Sequence, residues 1–332
     1  MRALVTGGGG FLGEAIIRQL IARGDQVRSL ARGHYPALTA LGVECVRGDV
    51  RDAAAVRRAC ADMDAVFHTA ALAGIWGAWR DYYETNFGGT QHVIGGCRAA
   101  GIRRLVFTSS PSVTFDGRSQ EGIDETAPYA ARWLSHYPHT KALAEQAVLT
   151  ANDAQLATCA LRPHLIWGPG DRHLIPRLVA RAKAGQLRRV GDGSNRIDMV
   201  YIDNAAQAHL QAVDRLASGS AVAGKAYFIS QGESVNCWQW IDEILALAGL
   251  PPVAKTVSLR AAWHIGAAME LAYRVFRVPG EPRMTRFLAA QLGTSHYFDI
   301  GRARRDLEFG PAVSTAEGMR RLGASLQSSV PA

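Results

Sequence analysis

The segment Thr6-Gly7-Gly8-Gly9-Gly10-Phe11-Leu12-Gly13 restricts the fold of this chain more than any other. It follows a short apolar run, Ala3 to Thr6, and opens a helical pattern, Phe11 to Arg23. A strand, a glycine turn and a helix in that order give the glycines a meaning that composition alone would not. Without a Cβ, Gly7, Gly10 and Gly13 let the backbone turn sharply, approach a pyrophosphate and pack helix on strand. Phe11 and Leu12 begin the helix whose unpaired N–H groups face the phosphates.

Downstream the pattern repeats. Short strand-like runs (Gln26 to Leu30, Ala65 to Thr69, Arg104 to Ser109) alternate with helical stretches (Ala53 to Ala61, Thr85 to Ala100). That alternation predicts βαβ units, and hence an α/β fold with a doubly wound parallel sheet of Rossmann type. Leu156 to Trp167 extends it as a further buried strand, ending at Gly168, Pro169 and Gly170. Beyond it, helical stretches mix with two strand-like pieces, Met199 to Ile202 and Ala226 to Ser230, both expected to rejoin the sheet. The expected organisation is a dinucleotide domain over residues 1–170, with returning strands near 198–230, and a smaller C-terminal substrate-capping lobe over most of 171–330.

A chain of 332 residues with 48% hydrophobic content can fill such a core, which excludes a disordered or fibrous protein. The net charge of +8 comes from scattered arginines without a basic run, so no nucleic-acid partner is expected. Five cysteines without CxxC or Cys/His spacing are expected as reduced core thiols, and ten histidines without an HExxH pattern give no metal site. No signal-peptide pattern precedes the first strand and no uncharged apolar run reaches spanning length, so the expected compartment is the cytoplasm.

An enzyme that prefers NAD usually carries an acid at the end of its second strand, where it accepts from the ribose 2′-OH. Here that strand runs into Ala31 and Arg32, and a guanidinium suits a 2′-phosphate, so the expected cofactor is NADP(H). Strand alternation points Arg28 elsewhere. Asp49, in Gly48-Asp49-Val50, is a candidate for the adenine amino group.

Tyr137 and Lys141 are four apart, so on a helix they share one face within reach of one bound cofactor. A free phenol titrates near ~10, and a neighbouring ammonium lowers that value by favouring the phenolate. Ser135 is placed to cap this helix, leaving Pro138 in the first turn where no N–H is missed. Upstream, Leu105-Val106-Phe107-Thr108-Ser109-Ser110 is a buried strand ending in hydroxyls, at the sheet edge where open parallel sheets bind ligands.

Taken with Asn86, these features resemble the extended short-chain dehydrogenase/reductase superfamily over nearly the whole chain. Leu161-Arg162-Pro163-His164-Leu165-Ile166-Trp167-Gly168-Pro169-Gly170 and Val200-Tyr201-Ile202-Asp203-Asn204 resemble its 3β-hydroxysteroid and sterol-4-carboxylate dehydrogenase branch. Phe67-His68-Thr69-Ala70-Ala71 and Tyr201 to His209 resemble the reductases of 2-alkyl-3-oxoalkanoates in bacterial long-chain olefin biosynthesis. The resemblance implies NADPH-dependent reduction of a hydrophobic β-keto acid. It implies Tyr137 as proton donor, Lys141 as its pKa partner and ribose anchor, and Ser110 as the carbonyl-binding hydroxyl, with Ser112 in reserve. It further implies a structural role for Asn86 and a nicotinamide-side position for Pro163. A homo-oligomer and a complex with other enzymes of the same pathway are further expectations.

Other residues carry two readings each. His136 and His139 flank the helix start, as pocket lining or as ordinary histidines; His164 and Trp167 end a strand near the expected nicotinamide, as pocket or as core. Arg172, Arg196 and His173 are candidates by position for a substrate carboxylate, which needs a partner if buried. Trp263, Ile265, Met269, Tyr273 and Phe276 form one apolar stripe at helical spacing. It is a lid or subunit face on one reading, and on the other a peripheral membrane contact through 260–278 supported by Arg260, Arg274 and Arg277. Rival functions are a 3β-hydroxysterol dehydrogenase, a nucleotide-sugar epimerase and a non-catalytic NADP-binding redox sensor.

Overall fold

Ala3 and Val5 turn to one side of the first strand and Leu4 to the other, and all three are fully buried. A strand that is apolar on both faces needs helices on both. The computed structural model, which describes residues 1–328, shows how they are supplied. Seven strands form one parallel sheet: β1 (Arg2–Thr6), β2 (Gln26–Ala31), β3 (Glu44–Arg47), β4 (Ala65–His68), β5 (Arg104–Thr108), β6 (Ala157–Pro163) and β7 (Lys225–Ile229). Their order is β3-β2-β1-β4-β5-β6-β7, so the winding reverses between β1 and β4. That reversal opens a crevice at the carboxyl ends of the strands, where α/β sheets bind ligands.

The flanking helices are α1 (Phe11–Ala22), α2 (Ala53–Cys60), α3 (Gly89–Ala99), α4 (His136–Thr150) and α5 (Ile202–Arg215). Helices α1 and α5 pack on each other and on the face of Ala3 and Val5, through Ile16, Ile17, Leu20, Ala205 and Val213. Helices α2, α3 and α4 cover the face of Leu4, through Val56, Val93, Cys97, Ala144 and Val148.

The rest of the chain closes over the carboxyl edge. Gln120–Ile123, Arg196–Ile197, Val235–Asn236 and His296–Phe298 form a small second sheet. Helix α6 (Leu259–Val275) buries only Ala262, Gly266 and Glu270, a single line of contact. At Gly266 an added Cβ would meet the Thr285 backbone at 2.7 Å, so this glycine lets α6 lie directly against the start of α7 (Arg286–Gly293). Glu270 seals the join by accepting from the Arg286 N–H at 2.7 Å and from its guanidinium.

Three sequence expectations are altered. Of the two returning pieces only Lys225–Ile229 joins the main sheet, beside β6. Val200–Tyr201 pairs instead with Ile166–Trp167 in a separate two-stranded sheet. The strand expected from Leu156 to Trp167 is broken, because Leu165 adopts φ +41°, a left-handed conformation that ends the ladder after Pro163. The stripe on α6 also divides: Trp263, Met269 and Tyr273 are half-buried, while Ile265 and Phe276 are exposed with Leu271 and Val275. Residues 329–330 of the expected lobe lie outside the described residues. Among the described residues no helix is long and apolar enough to cross a membrane.

Candidate active site

The chain turns immediately after β1. Gly7 adopts φ +73°, and a Cβ there would lie 2.9 Å from the Ala70 backbone beyond β4. At Gly13 a Cβ would lie 2.4 Å from the Gly7 carbonyl oxygen. The Gly10 N–H closes the turn on Gly7 O at 2.9 Å, and α1 begins after Gly10 with no side chain capping it. The N–H groups of Phe11, Leu12 and Gly13 have no intrahelical acceptor. A backbone cradle that a side chain would fill, at an uncapped helix start, fits the diphosphate of a dinucleotide.

At the end of β2, Arg32 is exposed and forms no ion pair among the described residues. Arg28 is turned away, paired with Glu44 and donating to the carbonyls of Ala59 and Ala61. Asp49 lies close enough to Arg32 to feel its charge, but both carboxylate oxygens are engaged by Arg51, through its N–H at 2.9 Å and its guanidinium at 2.8 Å. Those bonds hold its carboxyl below the usual carboxylate range.

The hydroxyls ending β5 separate in their surroundings. Ser109 is buried and its Oγ has no partner among the described residues. Ser110 Oγ accepts from the Ser112 N–H at 3.2 Å and shares a 2.8 Å contact with Ser112 Oγ, capping the short helix Pro111–Thr114. The two candidate serines therefore form one hydroxyl pair. Both line a chamber of about 190 Å³ with Tyr137, Pro163, His164 and Phe115.

Tyr137 stands in the first turn of α4, one residue before the buried Pro138. Ser135 is the residue preceding the helix, yet its hydroxyl donates to the Ile75 carbonyl at 3.2 Å instead of capping. Asn86 fastens this turn from below. Its amide exchanges hydrogen bonds with both backbone groups of Leu72 and donates to Thr140 Oγ1 at 3.0 Å. It does so from a π-helical turn, Tyr83–Gly88, within a stretch expected to be one regular helix.

Burial pushes the Tyr137 phenol above its ordinary value, and the Ser110 hydroxyl beside it pulls partly back. Lys141 is not among its perturbers, so the expected lowering by a neighbouring ammonium is absent. The reason lies in Lys141 itself. It is buried, donates from Nζ to the Thr108 carbonyl at 2.5 Å, and lies 3.9 Å from the centre of the Phe107 ring. Burial pushes it down from 10.5 to about 7, opposed by the Glu145 carboxylate. Between about pH 7 and 10.5 the unfolded chain then holds a proton that the fold does not, and stability rises with pH across that window. Lys141→Met is expected to flatten this rise, as read by urea unfolding at pH 7, 8 and 9.

Behind Lys141 lies an arrangement that the sequence did not announce. Glu145 is fully buried and takes the Arg162 guanidinium at 2.5 and 3.0 Å and the Tyr129 hydroxyl at 2.8 Å. Seventeen residues separate the two charges, and only the packing of α4 on β6 joins them.

A second cavity of about 650 Å³ adjoins the chamber, and Ile75 lines both. Trp76, Trp79, Trp133, His136 and His139 line it, with His139 stacked on Trp133 at 5.1 Å. His164 lines the smaller chamber, whereas Trp167 is core, packed edge-on against Tyr201 and Trp240. None of the three carboxylate candidates reaches either cavity. Arg172 is exposed near Glu14, His173 is exposed at a helix start, and Arg196 bonds Ser234. Position along the chain does not give the direction of these side chains. Among the described residues no His, Cys, Asp or Glu cluster could hold a metal ion, and all five cysteines are free, Cys45 being exposed and not in the core.

The profile of the 3-beta hydroxysteroid dehydrogenase/isomerase family matches residues 4–259. A protein of Stenotrophomonas maltophilia named 2-alkyl-3-oxoalkanoate reductase is 53% identical over 98% of this chain and 99% of its own length. One of that name from Shewanella oneidensis is 48% identical over 98% and 86%. The mouse sterol-4-alpha-carboxylate 3-dehydrogenase, decarboxylating, is 31% identical over 96% and 89%. Among solved structures, the UDP-glucose 4-epimerase of Thermus thermophilus in complex with NAD matches with a TM-score of 0.75 and 25% identity, over 99% of this chain and 100% of that one. A dTDP-glucose 4,6-dehydratase of Streptomyces venezuelae, at 24% identity over 99% of this chain and 98% of its own with a TM-score of 0.77, shares the fold.

Proposed function

This chain belongs to the 3-beta hydroxysteroid dehydrogenase/isomerase family, and we propose that within it the chain reduces 2-alkyl-3-oxoalkanoates to 2-alkyl-3-hydroxyalkanoates with NADPH. It is an oxidoreductase of the extended short-chain dehydrogenase type. The observation that carries the finer reading is the chamber in which the Tyr137 and Ser110 hydroxyls stand together, in a chain so close to two 2-alkyl-3-oxoalkanoate reductases. The setting in olefin biosynthesis is carried by the resemblance to the reductases of that pathway.

The Gly7 to Gly13 turn and the first N–H groups of α1 would hold the diphosphate, with Arg32 open to a 2′-phosphate. A reduced nicotinamide, when bound, supplies the hydride for C3 of the ketone. Ser110 fixes the carbonyl oxygen by a donated hydrogen bond, its own oxygen being supported by Ser112. Tyr137 gives its phenolic proton to that oxygen as negative charge develops there. Lys141, with a pKa near neutrality, returns a proton to the phenolate. The substrate carries two alkyl chains, and two cavities meet at Ile75 to receive them.

The test is to follow NADPH consumption with a branched β-keto acid, a sterone and a keto-sugar nucleotide. Turnover of the acid alone is expected, and turnover of the sterone alone would replace this reading with its hydroxysterol rival. In the same assay Arg32→Ala is expected to lower the NADPH-over-NADH preference about 10- to 100-fold, the loss of charge-assisted bonds to one phosphate. Equal efficiencies with both cofactors in the unaltered protein would refute the choice of NADPH.

A further inference from the structure

The ketone of a 3-oxoalkanoate and its carboxylate are attached to neighbouring positions on one carbon, C2. A chamber that holds the ketone against Tyr137 and Ser110 must therefore also accommodate the carboxylate, and an unpaired buried charge is prohibitive. Among the described residues no lysine or arginine lines that chamber. In the neighbouring cavity Arg286 is paired with Glu270 and Arg274 lies over the Trp76 ring.

Two imidazoles do line it, and they are not equivalent. His296 has its Nε2 at 2.8 Å from the Gln291 carbonyl, so that nitrogen donates and Nδ1 carries the lone pair. Nδ1 is sealed in the protein without a partner among the described residues, and burial together with the neighbouring His164 pushes this ring down to about 3. A neutral ring whose free nitrogen is a sealed acceptor offers nothing to an anion.

His164 is built the other way. Its Nδ1 lies 2.6 Å from Asp198 Oδ1, and Asp198 is itself fixed by the Phe298 N–H on Oδ2 at 3.0 Å. With Nδ1 committed as donor, Nε2 makes no hydrogen bond among the described residues and is not sealed from the chamber. β6 ends at Pro163, and the left-handed Leu165 turns His164 against His296 of the small sheet and against Asp198, the residue that follows the small-sheet strand Arg196–Ile197. The charged and titratable groups facing His164 are thus Asp198, His296 and, across the chamber, Tyr137.

We propose that His164, held by Asp198, receives the substrate carboxylate at Nε2 and so selects β-keto acids over plain ketones. The inference rests on the reading of the chamber as a β-keto acid site. It gives the Asp198–His164 pair the role of specificity residues, distinct from the hydroxyls that handle the ketone oxygen. To donate to the carboxylate, Nε2 needs a proton, which is taken from solvent together with the anion, while Nδ1 keeps its hydrogen bond to Asp198. No atom of the substrate changes partner in this step.

The experiment runs the reaction oxidatively, where the substrate is stable. A 2-alkyl-3-hydroxyalkanoate is compared with the matching secondary alcohol that lacks the carboxyl group, in the unaltered protein, His164→Gln and Asp198→Asn. The acid-to-alcohol ratio of kcat/KM is expected to fall about 30- to 100-fold in His164→Gln, mainly through KM for the acid, the effect of losing a hydrogen bond to a charged group. Asp198→Asn is expected to move the ratio the same way by about 10-fold. Alcohol turnover in each variant certifies a folded protein. An unchanged ratio in His164→Gln, or an equal loss on both substrates, overturns the assignment while leaving the reductase reading in place. If the unaltered protein oxidises the alcohol and not the acid, the reductase reading itself fails, and this inference with it.

Discussion

Tyr137→Phe is expected to lower kcat about 10³-fold while leaving the dissociation constant of the cofactor nearly unchanged, since positioned acid–base groups contribute roughly 10²–10⁴-fold. The change removes one oxygen and keeps the ring that packs at the start of α4, so the chamber retains its shape. Burial already biases this phenol toward its protonated form, and a proton donor must be protonated to act. What it lacks after giving up its proton is a way to regain it. Lys141, displaced downward to about 7 and donating to the Thr108 carbonyl, is the adjacent group on the same helix face able to exchange a proton near neutral pH. Single-turnover kinetics and cofactor fluorescence titration would separate the two effects. Retention of more than about a tenth of kcat in Tyr137→Phe would remove the tyrosine from the proton step.

Where the sequence was informative, the information was local. The glycine turn and the alternation of apolar runs specify β1, α1 and the parallel sheet, because strands buried on both faces leave continuous apolar runs that a single chain displays. Tyr137, four residues before Lys141, shares a helix whose start is marked by Pro138, and Ser110 lies at a strand end that the apolar run predicts. What could not be read was tertiary in origin. The π-helical turn around Asn86 adds one residue to a helix without changing its composition, yet it is this turn that brings the amide to Leu72 and Thr140. The break at Leu165 is set by a single left-handed residue with no glycine to advertise it.

The carboxylate candidates show the same limit from the other side. Arg172, Arg196 and His173 are candidates by position alone, and in the structure Arg172 is exposed near Glu14, Arg196 bonds Ser234 and His173 is exposed at a helix start. His164 is adjacent to the right strand end, but its meaning depends on Asp198, which is 34 residues later and follows a strand of a different sheet. A hydrogen-bonded pair of that kind leaves no spacing for a sequence to display. The same holds for the ion pair behind Lys141.

Glu145→Gln is expected to destabilise the protein by about 3–5 kcal/mol, the usual cost of leaving one member of a buried ion pair alone. Arg162 is 3% exposed, and the other carboxylate close enough to feel its charge, Glu125, already accepts from the Phe228 N–H and faces Arg302. The Phe228 and Tyr129 rings lie 5.1 and 5.7 Å from its central carbon, and neither replaces a carboxylate. The loss also reaches the active centre, since Glu145 is the charge that opposes the downward displacement of Lys141; without it the lysine falls further and carries less charge at pH 7. Glu145→Met combined with Arg162→Met separates the two consequences. Replacing both charges by apolar side chains of similar volume removes the desolvation cost of each, and the double variant is expected to recover most of the lost stability in urea unfolding. It is not expected to recover the protonation of Lys141, so the acid limb of kcat against pH stays displaced. A double variant no more stable than Glu145→Gln would show that the pair holds α4 to β6 by a bond that packing cannot replace.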